Sequence, residues 1–330
     1  MPKMLVLLLV TALAAPPGAL ADGGPSPGVT QNGTGAGGTG IRYVALGNRV
    51  TTELAAVDRR SGKVLDWRSI PGNWGIPLAT YDGTPTGLSA DGSTLVLAPV
   101  NPYTCKPQGG CALSRSTFAV YSTKSLRPKE TVHLRGVFSA DALSPDGRTL
   151  YLIQFVPSPN FEQYRVRAYD LAQRRLLPGA IADRTQRGWL MQGQPMARVT
   201  SSGGRFVYTL YANEGGYPFV HALDTVRGVA HCIGLPWHLS DQGLIADMRL
   251  TLGNGGRMLT IADPSVRAPA VAPSFRIDTH TYVVSEPGTS HPSGFPWWTL
   301  GFLGIPALVL VLVALRRLRV PGLRAAAAHG

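Results

Sequence analysis

Cysteine and acidic residues are scarce in this chain. Its 330 residues include three cysteines, and 19 aspartates and glutamates stand against 31 lysines and arginines. The three cysteines, at positions 105, 111 and 232, do not have the close paired spacing of a structural zinc site. The sequence also contains no His-Glu-x-x-His motif and no Gly-x-x-x-x-Gly-Lys-Ser/Thr loop, which gives no sign of a zinc peptidase or a P-loop enzyme. We therefore expect no metal and no other cofactor.

The N-terminus has the features of a secretory signal. Lys3 provides a positive charge, and residues 4–15 form an apolar run that is too short to span a bilayer. Residues 19–21, Ala-Leu-Ala, present the small side chains that a signal peptidase recognises. We predict a signal peptide over residues 1–21 and a mature chain that begins at Asp22. An uncleaved N-terminal anchor is the alternative.

The C-terminus contains a predicted transmembrane helix. Residues 297–315 carry no charge, and a helix of that length covers roughly 28 Å, close to the hydrocarbon thickness of a bilayer. Trp297 and Trp298 stand at one end of the segment, whereas residues 316–330 after the other end contain four arginines. This asymmetry predicts a cytoplasmic C-terminal tail. We therefore expect a single-pass protein of the cell membrane with most of its chain on the extracytoplasmic side.

The excess of basic residues does not indicate nucleic-acid binding. The formal net charge is +12, and it falls to about +7 when Lys3 and the four tail arginines are set aside. The remaining lysines and arginines are scattered, with no basic run or basic helix, and the predicted compartment contains no nucleic acid. We expect the membrane itself, and a protein or cell-envelope ligand, as partners.

Two of the three cysteines lie close together. Cys105 and Cys111 flank a polar stretch in a chain that is predicted to enter an oxidising compartment, so we predict a disulfide between them. Cys232 remains as an unpaired, buried thiol.

A repeated turn-and-strand pattern is the main sequence feature. Residues 144–152, Ser-Pro-Asp-Gly-Arg-Thr-Leu-Tyr-Leu, predict a tight turn that leads into a strand, and similar segments recur along the chain. The intervals between the turn glycines are 52, 55, 57 and 52 residues, which indicates a repeat architecture. The aligned glycines are Gly40, Gly92, Gly147, Gly204 and Gly256.

Each repeat is interpreted as four short strands. In the third repeat these are residues 140–143, 149–155, 165–170 and 175–181. A polar residue follows the third strand of every repeat, at a position where its side chain can accept hydrogen bonds from the turn backbone. We assign these residues a structural rather than a catalytic role. They are Asp58, Ser122, Asp170, Asp224 and Asp278.

A four-stranded antiparallel sheet cannot bury both faces alone, whereas radial repetition covers each sheet with its neighbours. The Ser-Pro-Asp-Gly-Arg-Thr-Leu-Tyr-Leu segment, followed by Val-Arg-Ala-Tyr-Asp-Leu, resembles the WD-like and YVTN-type propeller repeats of bacterial surface proteins. The resemblance implies an all-β propeller over residues 40–286, between a flexible Gly/Pro-rich leader (residues 22–39) and a linker (residues 287–296). Five blades are visible. Because the first repeat lacks a clear innermost strand, a six-bladed ring with one degenerate blade is the alternative.

The connections between strands indicate where a ligand binds. The first-to-second and third-to-fourth turns are short and share one face of the ring, the turn face. The longer connections share the opposite face, the long-loop face, and long loops on a rigid scaffold commonly carry binding sites. Their large side chains are the predicted ligand contacts: Trp74, Tyr81, Tyr103, Phe161, Trp189, Met191, Tyr217 and Trp237.

Two functional classes follow from this interpretation. We expect a membrane-tethered binding or scaffold module for a protein, peptide or glycan. Propellers of this kind also resemble lactonase-like and quinoprotein-dehydrogenase-like enzymes, whose site lies at the central channel, and that class is the alternative. No catalytic constellation is evident in the sequence, so we predict that the chain is not an enzyme.

Overall fold

The structure is a computed structural model. The residues it describes are 27–35, 39–102, 104–105, 111–112, 114–156, 163–186, 188, 190–213, 216–237, 243–265 and 274–286. Those up to Ser285 belong to one compact unit. This unit is almost entirely β-structure, arranged as five consecutive antiparallel sheets, or blades, in chain order.

Blades 1 and 2 occupy the N-terminal part of the unit. Blade 1 contains β2, β3 and β4, and blade 2 contains β5, β6, β9 and β10 with β1 at its inner edge. A separate hairpin, β7–β8, lies in the connection between β6 and β9. The bounds are β1 Val29–Thr30, β2 Ile41–Gly47, β3 Thr51–Asp58, β4 Val64–Pro71, β5 Trp74–Pro77, β6 Thr94–Pro99, β7 Thr104–Cys105, β8 Cys111–Ala112, β9 Arg115–Ser122 and β10 Pro128–Arg135.

Blades 3, 4 and 5 each contain four strands in sequential order. The strands of blade 3 are β11 Val137–Leu143, β12 Thr149–Phe155, β13 Tyr164–Asp170 and β14 Arg175–Leu176. Those of blade 4 are β15 Gln194–Thr200, β16 Phe206–Ala212, β17 Phe219–Asp224 and β18 Val229–Gly234. Those of blade 5 are β19 Arg249–Gly253, β20 Met258–Ala262, β21 Phe275–Asp278 and β22 Val284–Ser285. The described helices are short: α1 Gly243–Ala246 and 3-10 turns at Arg184–Gln186 and Asn254–Gly256.

Successive blades bury their faces against each other, as in a β-propeller. In β6, Leu95 and Leu97 join a core shared with blade 1, whereas Val96 between them joins a core shared with blade 3. Neighbouring residues of a strand point to opposite faces, so a strand between two blades must be apolar on both. Further cores join blades 3 and 4, and blades 4 and 5.

The segment before blade 1 takes part in the sheets. Val29 pairs with Pro77 at the inner edge of blade 2, and Thr34 exchanges two backbone hydrogen bonds with Tyr43 of β2. Thr34 thus stands at the inner edge of blade 1, where the sequence shows no clear innermost strand. Although we predicted a flexible leader over residues 22–39, part of it is held by backbone pairing.

The repeated turns have the predicted geometry. Gly92 and Gly147 have φ values of 71° and 65°, in the left-handed region that only glycine enters without strain. The threonine after the third strand adds a link that the sequence did not reveal: the Thr225 hydroxyl donates to the carbonyl oxygen of Gly204, and Thr279 does the same to Gly256. This hydrogen bond ties the two turns of one blade together on the turn face.

The aspartates after the third strands have the structural role that we predicted. In blade 5 the Asp278 carboxylate accepts backbone hydrogen bonds from His280 at 2.9 Å and Thr281 at 2.8 Å, and these bonds lower its pKa. Asp58, Asp170 and Asp224 accept the equivalent pairs of bonds in blades 1, 3 and 4. Turn chemistry therefore explains why an acid recurs at this position.

Candidate functional site

Two tryptophans that we predicted as loop anchors are half-buried against the cores. Trp74 begins β5, packs against the core of blades 1 and 2, and donates its indole N–H to the Pro71 carbonyl oxygen at 2.8 Å. The Trp237 ring packs against the core of blades 4 and 5, 6.2 Å from the Phe275 ring. Both rings therefore support the inter-blade packing.

The other predicted contact residues that the structure describes lie in different connections of the fold. Tyr81 lies in the segment after β5, Met191 in the link between blades 3 and 4, and Tyr217 in the connection between β16 and β17, where it is exposed. Tyr103, Phe161 and Trp189 lie outside the described residues. A shared binding surface made of these residues stays a prediction.

The segment over residues 78–86 crosses the central channel. The backbone N–H groups of Tyr81 and Asp82 donate to the carbonyl oxygens of Pro195 and Met196, at 2.9 and 3.0 Å. The segment belongs to blade 2 and its acceptors to the inner strand of blade 4, so it bridges two blades that are not neighbours. The Thr86 hydroxyl also donates to the carbonyl oxygen of Asp141, on the inner strand of blade 3. Residues 78–86 thus connect the inner strands of blades 3 and 4 to blade 2.

An apolar cavity opens between blades 2 and 3 on the long-loop face. Its volume is about 170 Å³. The ends of β6 and β12 and the start of β11 form its wall, because these strand ends meet where the long connections leave the sheets. The large apolar side chains that line the cavity include aromatic rings and prolines: Phe118, Phe138, Phe155, Pro77, Pro99 and Pro102. Val100, which is 39% exposed, stands among the lining residues. A cavity of this composition suits an apolar side chain.

A second cavity, of about 380 Å³, lies between blades 3 and 4 on the same face. Met191 and Phe219 provide apolar walls, and Asp183, Gln192 and Cys232 provide polar ones. The Asp183 carboxylate is 3% exposed and is held in place by hydrogen bonds from Thr185, from the backbone N–H of Cys232 and from His231.

Burial raises the pKa of Asp183, but the hydrogen bonds from Thr185 and Cys232 and the charge of His231 outweigh it, so the pKa is lowered overall. Burial also raises the pKa of the Cys232 thiol to about 12, which keeps it protonated and unreactive. Neither group is tuned for nucleophilic chemistry.

A row of polar residues runs across blade 4 beneath this cavity. Arg198, Thr209, His221 and Cys232 lie opposite one another on β15, β16, β17 and β18. Arg198 forms an ion pair with Asp141 of blade 3, and both side chains are 4% exposed. The row therefore connects the channel to the outer part of the interface between blades 3 and 4.

Among the four residues of that row, His221 has the least complete hydrogen bonding. Its side chain is buried, its Nε2 atom has no hydrogen-bond partner, and burial lowers its pKa to about 4. The ring meets Tyr211 edge-on, and Tyr211 stacks on Tyr164 with centroids 5.6 Å apart. His221 is therefore a neutral group inside an aromatic interface at neutral pH.

Sequence analysis did not identify Asp141, Arg198 or His221. Asp141 and His221 are polar residues in strands whose other residues are largely apolar and buried, and Arg198 stands between Ala197 and Val199 in β15. These polar residues can be recognised in the sequence, but their roles depend on which blades pack against each other. Within the described parts of the chain, no three His, Cys, Asp or Glu side chains lie close enough to hold a metal ion.

The predicted disulfide and the predicted membrane segments fall largely on residues that the structure does not describe. The backbones of β7 and β8 place Cys105 directly opposite Cys111, but the two side chains lie outside the described part, so the disulfide stays a prediction. The signal peptide (residues 1–21), the linker (287–296), the span (297–315) and the tail also lie outside it. Among the residues that were placed, none forms a helix long and apolar enough to cross a membrane.

Comparison with known proteins relates the chain to others at the level of fold. No protein-family model and no curated protein sequence matches it. Among solved structures, Kuenenia stuttgartiensis hydrazine synthase is 12% identical with a TM-score of 0.45, over 82% of this chain and 69% of that one. The Cps50 (Swd1) β-propeller domain of Myceliophteria thermophila is 11% identical with a TM-score of 0.42, over 80% and 71%. The Dos1 propeller is 11% identical with a TM-score of 0.41, over 75% and 54%.

Proposed function

We propose that the chain is a membrane-tethered extracytoplasmic propeller that binds a protein or peptide on its long-loop face. The observation that carries this proposal is the cavity lined by Phe118, Phe138 and Phe155. Because its walls are mostly apolar, it suits the side chain of a peptide better than the hydroxyl-rich surface of a glycan. The second cavity, with Asp183 and Gln192, lies on the same face and offers polar contacts to the same ligand.

The tether rests on the sequence. The signal at residues 1–21 and the uncharged residues 297–315 with four arginines after them place the propeller outside the cell and the tail inside. An exported propeller held at the membrane is well placed to recruit a soluble or envelope protein.

The alternative of an enzyme with a site at the central channel has less support. Residues 78–86 bridge blades 2 and 4 through the backbone of Tyr81 and Asp82, which narrows the space between the inner strands. A channel enzyme of the lactonase-like or quinoprotein-dehydrogenase-like kind requires that space for its substrate or cofactor.

Affinity capture with two surface variants tests the binding site. Val100→Glu places a charge at the apolar cavity, and Val226→Glu places the same charge on the turn face, in the exposed turn between β17 and β18. The full-length protein is immobilised and exposed to solubilised envelope proteins. We expect wild type and Val226→Glu to retain the same protein and Val100→Glu to lose it. Equal retention by all three would show that this cavity is not the binding site.

A further inference from the structure

Blade 1 carries an unusual share of the exposed apolar surface. Of the ten large apolar side chains that are exposed among the described residues, five lie in blade 1 and its first turn. Trp67 is 63% exposed, although a tryptophan on a propeller blade is normally covered by the neighbouring sheet. The five are Leu46, Val50, Val64, Leu65 and Trp67.

The strand register places this surface on one side of the sheet. Trp67 lies opposite Ala55, which in turn lies opposite Val44. Leu54 and Ala56 alternate with Ala55 and join the core of blade 2, so Trp67 is on the side that faces away from blade 2. We call this side, with Leu46, Val64, Leu65 and Trp67, the blade 1 face.

Among the described residues, the buried apolar cluster on the blade 1 face contains side chains of blade 1 only. Val44, Ala55 and Val57 form a small cluster of their own, and no described residue of another blade belongs to it. On the described part of blade 5, the side chains that alternate with its core residues are mostly polar, and Arg249, Thr251 and Arg276 among them are exposed. Met258 and Ala262 of β20 are the apolar side chains on that side of the described strands, and neither belongs to the cluster on blade 1.

The charges around the blade 1 face are mainly positive. Between residues 41 and 71, six basic side chains are exposed, but Arg68 lies opposite Leu54, on the side that faces blade 2, as does the exposed Asp66 opposite Ala56. Arg42 pairs in register with Val57, on the blade 1 face. Most of the other basic residues lie in the turns at the two ends of the sheet. Glu53 is also on this side, but it is half-buried. The five basic residues on this side or in the turns are Arg42, Arg49, Arg59, Arg60 and Lys63.

We propose that the blade 1 face docks an apolar, acidic segment of a partner protein. The apolar part contacts Trp67 and Leu65, and the acidic part meets the basic turns at the ends of the sheet. An exposed tryptophan with a charged rim is a common arrangement at protein interfaces. This surface is separate from the long-loop cavity, so the inference does not depend on the proposed function.

The same charges argue against a second copy of the chain as the occupant. Two blade 1 faces packed together would bring Arg60 and Lys63 of one copy close to the basic turns of the other, and like charges across an interface are destabilising. An acidic partner instead gains from the same charges.

Selection of peptides on the full-length protein tests the proposal. Random twelve-residue peptides displayed on phage are selected against wild type, Trp67→Ser and Val283→Ser. Val283 is a matched control because it is 62% exposed, in the last turn of blade 5. We expect peptides that combine acidic and apolar residues, that bind Trp67→Ser about tenfold or more weakly, that bind Val283→Ser like wild type, and that weaken as salt is raised.

Four results would overturn the proposal. The first is that no peptide depends on Trp67, and the second is that the dependent peptides are basic or uncharged. The third is Trp67-dependent self-association in sedimentation velocity, which would make a second copy the occupant. The fourth is Trp67-dependent binding to phosphatidylglycerol vesicles, which would make a membrane the occupant.

Discussion

Arg198 and Asp141 form a buried ion pair that joins the inner strands of blades 3 and 4. Arg198 also donates to the carbonyl oxygen of Asp141 and to the Thr209 hydroxyl. Asp141 occupies a bulge in β11, where the register shifts between Ala140 and Ala142. The bulge is an irregularity that lets one charged side chain leave an otherwise apolar strand.

Asp141→Ala should strongly destabilise the propeller. The substitution leaves the Arg198 guanidinium buried without its carboxylate, and breaking such a pair costs about 3–5 kcal/mol. We expect the free energy of unfolding, measured by urea denaturation, to fall by that amount, and Asp141→Leu combined with Arg198→Met to recover part of it. Arg205→Ala, which breaks the exposed pair with Asp224, is the control and should have a much smaller effect. A similar loss in both single variants would contradict a special role of the buried pair.

His221 should make stability depend on pH in a defined window. Its pKa is about 4 in the folded chain and about 6.5 when unfolded, so between these values only the unfolded chain takes up the proton. Stability is therefore complete above pH 6.5 and falls by up to roughly 3 kcal/mol as the pH drops to about 4. Urea denaturation at several pH values should show this slope in wild type and not in His221→Leu. An equal slope in both proteins would mean that another group is responsible.

Gly147→Val should destabilise the domain more than the same change at Gly62. Both glycines have positive φ, which costs a side chain about 1–2 kcal/mol. A Cβ at Gly147 would also come within 2.6 Å of the Thr94 Cβ in blade 2, whereas nothing lies within 4 Å at Gly62. Thermal melts of the two variants separate backbone strain from this clash. Equal melting temperatures would show that blade 2 adjusts to the added side chain without cost.

These examples show what the sequence could and could not reveal. The turns at Gly147 and Asp278 were predicted correctly because their chemistry is local: a positive φ and a carboxylate that accepts nearby N–H groups. The strand β12 was predicted with its observed bounds for a similar reason, since a turn precedes a continuous apolar run.

Features that depend on contact between blades could not be predicted. Trp74 was expected to be an exposed loop residue, but it belongs to an inner strand and its backbone N–H is held by the Thr52 hydroxyl, 22 residues away in sequence. The crossing of residues 78–86 to Pro195 depends on the ring geometry in the same way.

The proposed topology can be checked by protease protection. Protease added to intact protoplasts that produce the full-length chain should remove the propeller and leave a tag fused after Gly330 intact, because the arginines after residue 315 predict a cytoplasmic tail. Loss of the tag with survival of the propeller would mean that the chain is inserted in the opposite orientation.

Site-specific photo-crosslinking tests the central claim, a ligand-binding site between blades 2 and 3, most directly. A photoreactive phenylalanine analogue replaces Val100, beside the apolar cavity, or Val226, on the turn face. The full-length proteins are then irradiated in the cells that produce them. We predict a discrete adduct of higher mass from position 100 and none from position 226. Adducts from position 226 alone, or none from position 100, would contradict the assignment of the binding site to the long-loop face.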